Sequence, residues 1–206
     1  GRFGGTESLN LQNLPRGSVL RKALTAPEGQ RLFVADLSNI EARMLAWLAN
    51  EQDLLLHFEA GTDVYAQFAS AVYGREINKY NDPTERFVGK TAILGLGYGM
   101  GAEKFQATVK AAGVDIDPHE AKRVVQTYRA THPGIPALWR RAENLLQQTS
   151  DGTCQYNTYG PLEIQSQRIM LPNGLSLYYP NLELIGNDYY YTIGGKRQGT
   201  WGGRIT

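Results

Sequence analysis

Two short stretches hold the side chains whose types and spacing suit chemistry. In Phe33-Val-Ala-Asp36-Leu-Ser-Asn-Ile-Glu41-Ala-Arg43 an apolar run ends in a carboxylate, and a second carboxylate follows five residues on. A strand ending at Asp36 would hold its carboxylate rigidly with the far side open. That suits a hard cation such as Mg²⁺, which binds carboxylate oxygens together with substrate phosphates. The alternative is that Asp36 only caps the helix that follows, although Ser38 stands better for that. Glu41 falls in the first helical turn, where the helix dipole favours negative charge. The second stretch is Glu85-Arg86-Phe-Val-Gly-Lys90-Thr-Ala-Ile-Leu94-Gly-Leu-Gly-Tyr98-Gly99. Arg86, Lys90 and Leu94 recur every four residues, a step that drifts only about 40° around a helix, so they share a face. Arg86 to Leu94 spans about 12 Å at the usual helical rise, near the reach of a nucleoside triphosphate. Two cations would hold phosphates, an apolar side chain would meet sugar and base, and Tyr98 between glycines would let backbone approach a flat base. A solvated helix with scattered charges is the plainer alternative. The phosphate-cradling pattern GxxxxGK[ST] is absent from the sequence, which disfavours ordinary NTPase chemistry.

The elements that must position these groups follow from periodicity and turn residues. Residues 1–18 are rich in Gly, Asn and Ser and read as a loop. Residues 19–26 and 31–36 read as strands. Ser38-Asn-Ile-Glu41 resembles a capping box that opens a helix to about Asn50. A short helix follows in 51–61, then one capped at Thr62-Asp63 that runs to Val72. Pro83 suits the first turn of a helix from 83 to 95, which Gly97, Gly99 and Gly101 interrupt. Helices are expected over 102–112, 118–130 and 135–150. Beyond Asp151-Gly152 the pattern turns to strands over 152–158, 167–171, 175–179 and 188–193, with Pro172-Asn173-Gly174 as a hairpin turn. The expected fold class is α+β: one sheet interrupted by a helical insertion.

Composition bounds the classes. The chain has 206 residues, of which 42% are hydrophobic and 20% charged; this supports a packed core rather than disorder. A formal net charge of +1 neither demands nor excludes nucleic acid. The single Cys154 rules out a disulfide framework within the chain and fits a reducing compartment. No apolar run nears the roughly 20 residues of a membrane span, and no signal peptide is visible. The chain begins at Gly1 and is expected to be a fragment, a processed product or an excised domain.

Taken together, the stretches resemble family A DNA polymerases, the bacterial DNA polymerase I type, most closely their phage members. Asn10-Leu-Gln12-Asn13-Leu-Pro15 is similar to the family's NLQN(I/L)P segment. Asp36-Leu-Ser-Asn39-Ile-Glu41-Ala-Arg43 is similar to motif A, D-Y-S-Q-I-E-L-R. Arg86-x₃-Lys90-x₇-Tyr98-Gly99 is similar to motif B, R-x₃-K-x₇-Y-G. The three occur in the family's order, and jointly they are specific where each alone is not.

The resemblance implies an antiparallel palm sheet, here partial, interrupted by α-helical fingers. Residues 1–50 would form the first palm part with motif A, 51–150 the fingers with motif B, and 151–206 a return to the palm. It implies nucleotidyl transfer from a dNTP to a primer 3′-hydroxyl with two Mg²⁺ ions. Asp36 and the Leu37 carbonyl would bind metal, and Arg86 and Lys90 the triphosphate. Glu41 would crowd a ribose 2′-hydroxyl, and Tyr98 with Gly99 would lie near the templating base. Arg2, Asn10, Gln12 and Asn13 would touch primer–template DNA. Asn39 stands where many members have Gln. Leu94 stands where bacterial members have Phe or Tyr, and it cannot stack as an aromatic ring does.

Motif C, His-Asp-Glu, does not occur; the three histidines precede Phe58, Glu120 and Pro133. The chain alone is therefore expected to lack normal polymerase activity unless a second polypeptide supplies that motif. The expected location is the cytoplasm of a bacterial or phage-infected cell, with no membrane partner. Three alternatives stay open: a relative of the single-subunit RNA polymerases, which Glu41 argues against; a non-catalytic nucleic-acid-binding module, which the missing motif C favours and Asp36, Arg86, Lys90 and Tyr98 disfavour; and a globular α/β domain with coincidental motifs.

Overall fold

In the computed structural model, residues 14, 18–153, 156–186 and 188–199 are described. The chain divides into two units, Gly1–Ser38 and Asn39–Thr206. In the first, Ser18 accepts a hydrogen bond from the Arg21 N–H and opens a one-turn helix, α1 (Val19–Lys22). This replaces the strand expected over 19–26. Local side-chain capping offers the backbone a helical alternative to a ladder.

The strand expected over 31–36 also does not form. Phe33 is 88% exposed and Val34 82%, and the segment pairs with no strand among the described residues. A strand exists only where a neighbour satisfies its N–H and C=O groups, so an apolar alternation is not sufficient by itself. Asp36 consequently stands in exposed, irregular chain rather than at a strand end.

The second unit begins with helices: α2 (Ile40–Ala49), α3 (Gln52–Glu59), α4 (Val64–Tyr73), α5 (Pro83–Gly95), a 3-10 turn over Leu96–Tyr98, α6 (Ala102–Ala111), α7 (Pro118–Thr131) and α8 (Gly134–Ser150). The capping box expected at Ser38 is replaced by Asn39 at the N-cap, in the left-handed region at φ 57° with no side-chain cap bond. Asp63 does cap α4, accepting the Ala66 N–H at 3.2 Å. Asp117 caps α7 in the same way, and Pro83 occupies the first turn of α5. The buried faces of these helices form one cluster that includes Phe68, Val88, Phe105, Val124, Tyr128 and Ile135. Helices α4 and α5 approach closely because position 89 is glycine: a Cβ there would collide with the Tyr65 carbonyl oxygen and lie 3.0 Å from Ala69 Cβ.

Among the described residues, seven short strands follow in two antiparallel sheets. β1 (Tyr156–Tyr159), β2 (Leu162–Gln165), β3 (Arg168–Met170) and β4 (Ser176–Tyr178) are ordered β1-β2-β3-β4. The Pro172-Asn173-Gly174 turn joins β3 to β4, with Ile169 opposite Leu177. β5 (Glu183–Ile185), β6 (Asp188–Ile193) and β7 (Lys196–Gly199) form the second sheet, in that order. β2, β5 and β7 were not expected from the sequence. Adjacent residues of α8 serve the two sheets: Leu145 packs with Ile164 and Ile169, and Leu146 with Leu182 and Tyr189. The fold is α+β, with no closed barrel among the described residues.

Candidate functional site

Asn39 takes a left-handed conformation just ahead of α2, and its side-chain Oδ1 accepts a hydrogen bond from the Tyr65 hydroxyl of α4. Two residues on, in the first turn of α2, the Glu41 carboxylate accepts the Tyr98 hydroxyl at 2.8 Å. Tyr98 ends the 3-10 turn that continues α5, and Gly99 closes it at φ 73°. This hydrogen bond ties the start of α2 to the end of α5 across 57 residues of sequence.

Both partners line a cavity of about 230 Å³ whose walls come from α2, α5, α8 and the first sheet. Leu94 lines it as well, with Leu45, Ile93, Leu145 and Ile169. The lining is mainly apolar, with Glu41, Tyr98, Thr149, Arg168 and Tyr179 among its polar groups, the usual balance of a small-molecule site. Gly97 keeps the wall thin. A Cβ at that position would run into Leu45 and stand 3.3 Å from the Tyr128 hydroxyl. The Gly97 carbonyl accepts the Trp139 indole N–H at 3.1 Å, which fixes α8 against the 3-10 turn.

Arg86 and Lys90 lie further back along α5, within about 12 Å of Leu94 at helical rise. Arg86 donates from Nε to Asp63 Oδ2 at 2.6 Å, and its guanidinium carbon lies 5.4 Å from the centre of the Tyr65 ring. Burial opposes charge on Asp63, but the bonds from Arg86 and the Ala66 N–H outweigh it and hold the carboxyl below its usual value. Burial pushes the Tyr65 hydroxyl up, against the pull of Arg86. Lys90 is half-buried and has no ion-pair partner among the described residues.

The DNA polymerase family A sequence profile matches residues 1–170. The chain belongs to DNA polymerase family A. It is 33% identical over 145 residues to "DNA polymerase I" of Pseudomonas aeruginosa, a match covering 68% of this chain and 15% of that protein. It is likewise 33% identical over 145 residues to "DNA polymerase I, thermostable" of Thermus filiformis, covering 68% of this chain and 17% of that protein. With "DNA polymerase I" of Chloroflexus aurantiacus the identity is 34% over 130 residues, covering 61% and 13%. The chain thus spans a small part of the length of these relatives.

Of the residues singled out in this family A chain, Glu41, Leu94 and Tyr98 share one cavity. Asn39 stands on the turn before Glu41, and Arg86 and Lys90 lie on the same helix as Leu94. Arg2, Asn10, Gln12 and Asn13 lie outside the described residues. Asp36 and Leu37 belong to the other unit, where both are exposed. An aspartate and a neighbouring carbonyl are the hard oxygen donors that Mg²⁺ takes, but they form only part of a set. No cluster of three or more His, Cys, Asp or Glu able to hold a metal occurs among the described residues. No helix there is long and apolar enough to cross a membrane.

Some contributors were not legible. Asp63 reads in the sequence as a helix cap only, and nothing local announces that its second oxygen meets Arg86, 23 residues on. Glu51 is 8% exposed, and its Oε1 accepts the Gly134 N–H where α8 begins. His132 is 7% exposed, with Nε2 unpartnered, against Phe68 and Tyr128.

Proposed function

We propose that this chain carries the nucleotide-selecting part of a template-directed DNA polymerase, which joins a dNTP to a primer 3′-hydroxyl. The observation that carries the reading is the Glu41–Tyr98 bond in the lining of a cavity shared with Leu94, whose helix also carries two cations, Arg86 and Lys90. Arg86 and Lys90 bind the triphosphate and offset its charge; phosphoryl transfer depends mainly on positioning and electrostatics of this kind. Leu94 and the cavity wall receive sugar and base and exclude water. Glu41, held by Tyr98, fills the space a ribose 2′-hydroxyl would need, so deoxynucleotides are preferred. This also argues against a ribonucleotide polymerase.

Asp36 and the Leu37 carbonyl would hold Mg²⁺, which when bound lowers the pKa of the attacking hydroxyl and stabilises the leaving pyrophosphate. A second carboxylate, from further chain or another polypeptide, completes that set. Residues 1–50 and 151–206 are assigned to the palm and 51–150 to the fingers. Arg2, Asn10, Gln12 and Asn13 are assigned to primer–template DNA, where contacts to phosphate and sugar serve any sequence.

The test is calorimetric titration of residues 1–206 with dATP in Mg²⁺ buffer. Lys90→Ala and Arg86→Ala are expected to weaken binding by about 10- to 100-fold each, as loss of a charge-assisted hydrogen bond does. Glu41→Ala should erase the preference for dATP over ATP. Binding that is absent in the unsubstituted chain, or unchanged by both cation substitutions, refutes the reading.

A further inference from the structure

Arg86 is not a free cation on a helix surface. Its Nε donates to Asp63 Oδ2 at 2.6 Å, while Asp63 Oδ1 accepts the Ala66 N–H at 3.2 Å. Each carboxylate oxygen thus has its own partner, and the group cannot rotate without breaking the α4 cap or the arginine bond. The Tyr65 ring covers the guanidinium from 5.4 Å, and the Tyr65 hydroxyl is itself tied to Asn39. Residues 63 and 65 therefore fence Arg86 along one edge and beside one ring. The absence of a Cβ at Gly89 lets α4 approach α5 closely enough for this. The ion pair is partly shielded, with side-chain exposures of 24% for Arg86 and 32% for Asp63.

We propose that Asp63 is a positioning residue for Arg86, gripping the guanidinium by its Nε edge so that both Nη groups stay available for a nucleoside triphosphate. This rests on the reading of Arg86 as a triphosphate ligand. An unrestrained arginine loses rotamer freedom when it binds, whereas a held one has already lost it. Two Nη donors in a fixed plane also match a pair of phosphate oxygens. Asp63 carries a negative charge toward an anionic ligand, an effect of the opposite sign. The arrangement is productive only if orientation outweighs repulsion.

Asp63→Ser, made alone and together with Arg86→Ala, separates these effects. Asp63→Ser keeps a competent helix cap but is too short to reach Arg86. Asp63→Asn removes the charge and leaves one oxygen, which can accept either the Ala66 N–H or Arg86 Nε–H but not both. With residues 1–206 and dATP in Mg²⁺ buffer, Asp63→Ser is expected to weaken binding by roughly threefold to tenfold, the cost of ordering one long side chain. Asp63→Asn should fall between Asp63→Ser and the parent chain, and Asp63→Ser added to Arg86→Ala should weaken binding no further. Binding by Asp63→Ser equal to or tighter than that of the parent chain, or an equal loss in the Arg86→Ala background, overturns the proposal. If the parent chain binds no dATP, or binds it as well without Arg86, the underlying reading falls and this one with it.

Discussion

The helical core should be acid-sensitive through a single imidazole. His132 follows α7, and its ring packs 5.1 Å from Tyr128 and 6.2 Å from Phe68, centroid to centroid. Burial disfavours the charged form, Asp53 pulls the other way and His57 adds to the depression; the result lies at about 4, against an ordinary 6.5. The unfolded chain therefore takes up a proton near pH 6.5, while the folded chain refuses one until about pH 4. Stability is complete above pH 6.5, falls as the pH drops through that window, and levels off below it. The gap is worth about 3 kcal/mol at most, at 1.36 kcal/mol per pH unit. Urea unfolding of residues 1–206 at steps from pH 7.5 to 4 would measure it, with His132→Leu as the comparison. Leucine nearly conserves volume, and the Nε2 it removes has no hydrogen-bond partner. From pH 7.5 to 4 the parent should lose about 3 kcal/mol relative to His132→Leu. Parallel profiles would refute the reasoning, since then His132 either titrates normally in the fold or is solvated there.

Two further substitutions test how the helices are held. Gly89→Ala adds a Cβ against the Tyr65 carbonyl oxygen, so α4 and α5 must part. Despite alanine's better helix propensity, of about 1 kcal/mol, a net loss of about 1–2 kcal/mol is expected in thermal melts, and a higher melting temperature would contradict the close approach. Glu51→Ala leaves the Gly134 N–H without its acceptor at the start of α8 and should cost about 1–3 kcal/mol in urea unfolding. Glu51→Gln, which keeps an oxygen there, should cost less.

Much of the helical layout was legible in the sequence because its signals are local. Pro83 in the first turn and the glycines after residue 95 bound α5, and Asp63 and Asp117 sit at their caps. Pro172-Asn173-Gly174 marks the β3–β4 turn. Such signals act within one turn of chain, so neighbours in sequence suffice. The candidate side chains were legible too, since Arg86, Lys90, Leu94 and Tyr98 share a four-residue step that only a helix makes meaningful.

Tertiary structure decided the rest. The apolar run over 31–36 is not a strand here, because strand formation depends on a partner's hydrogen bonds and not on alternation alone. Ser38 lost the N-cap of α2 to Asn39, whose side chain is taken by Tyr65 of another helix. The pairing of Arg86 with Asp63, and of Glu41 with Tyr98, joins residues 23 and 57 positions apart. Sequence by itself determines the period and the ends of a helix. Which carboxylate meets which cation is set by how close two helices pack, and here a missing Cβ at Gly89 helps to set that distance.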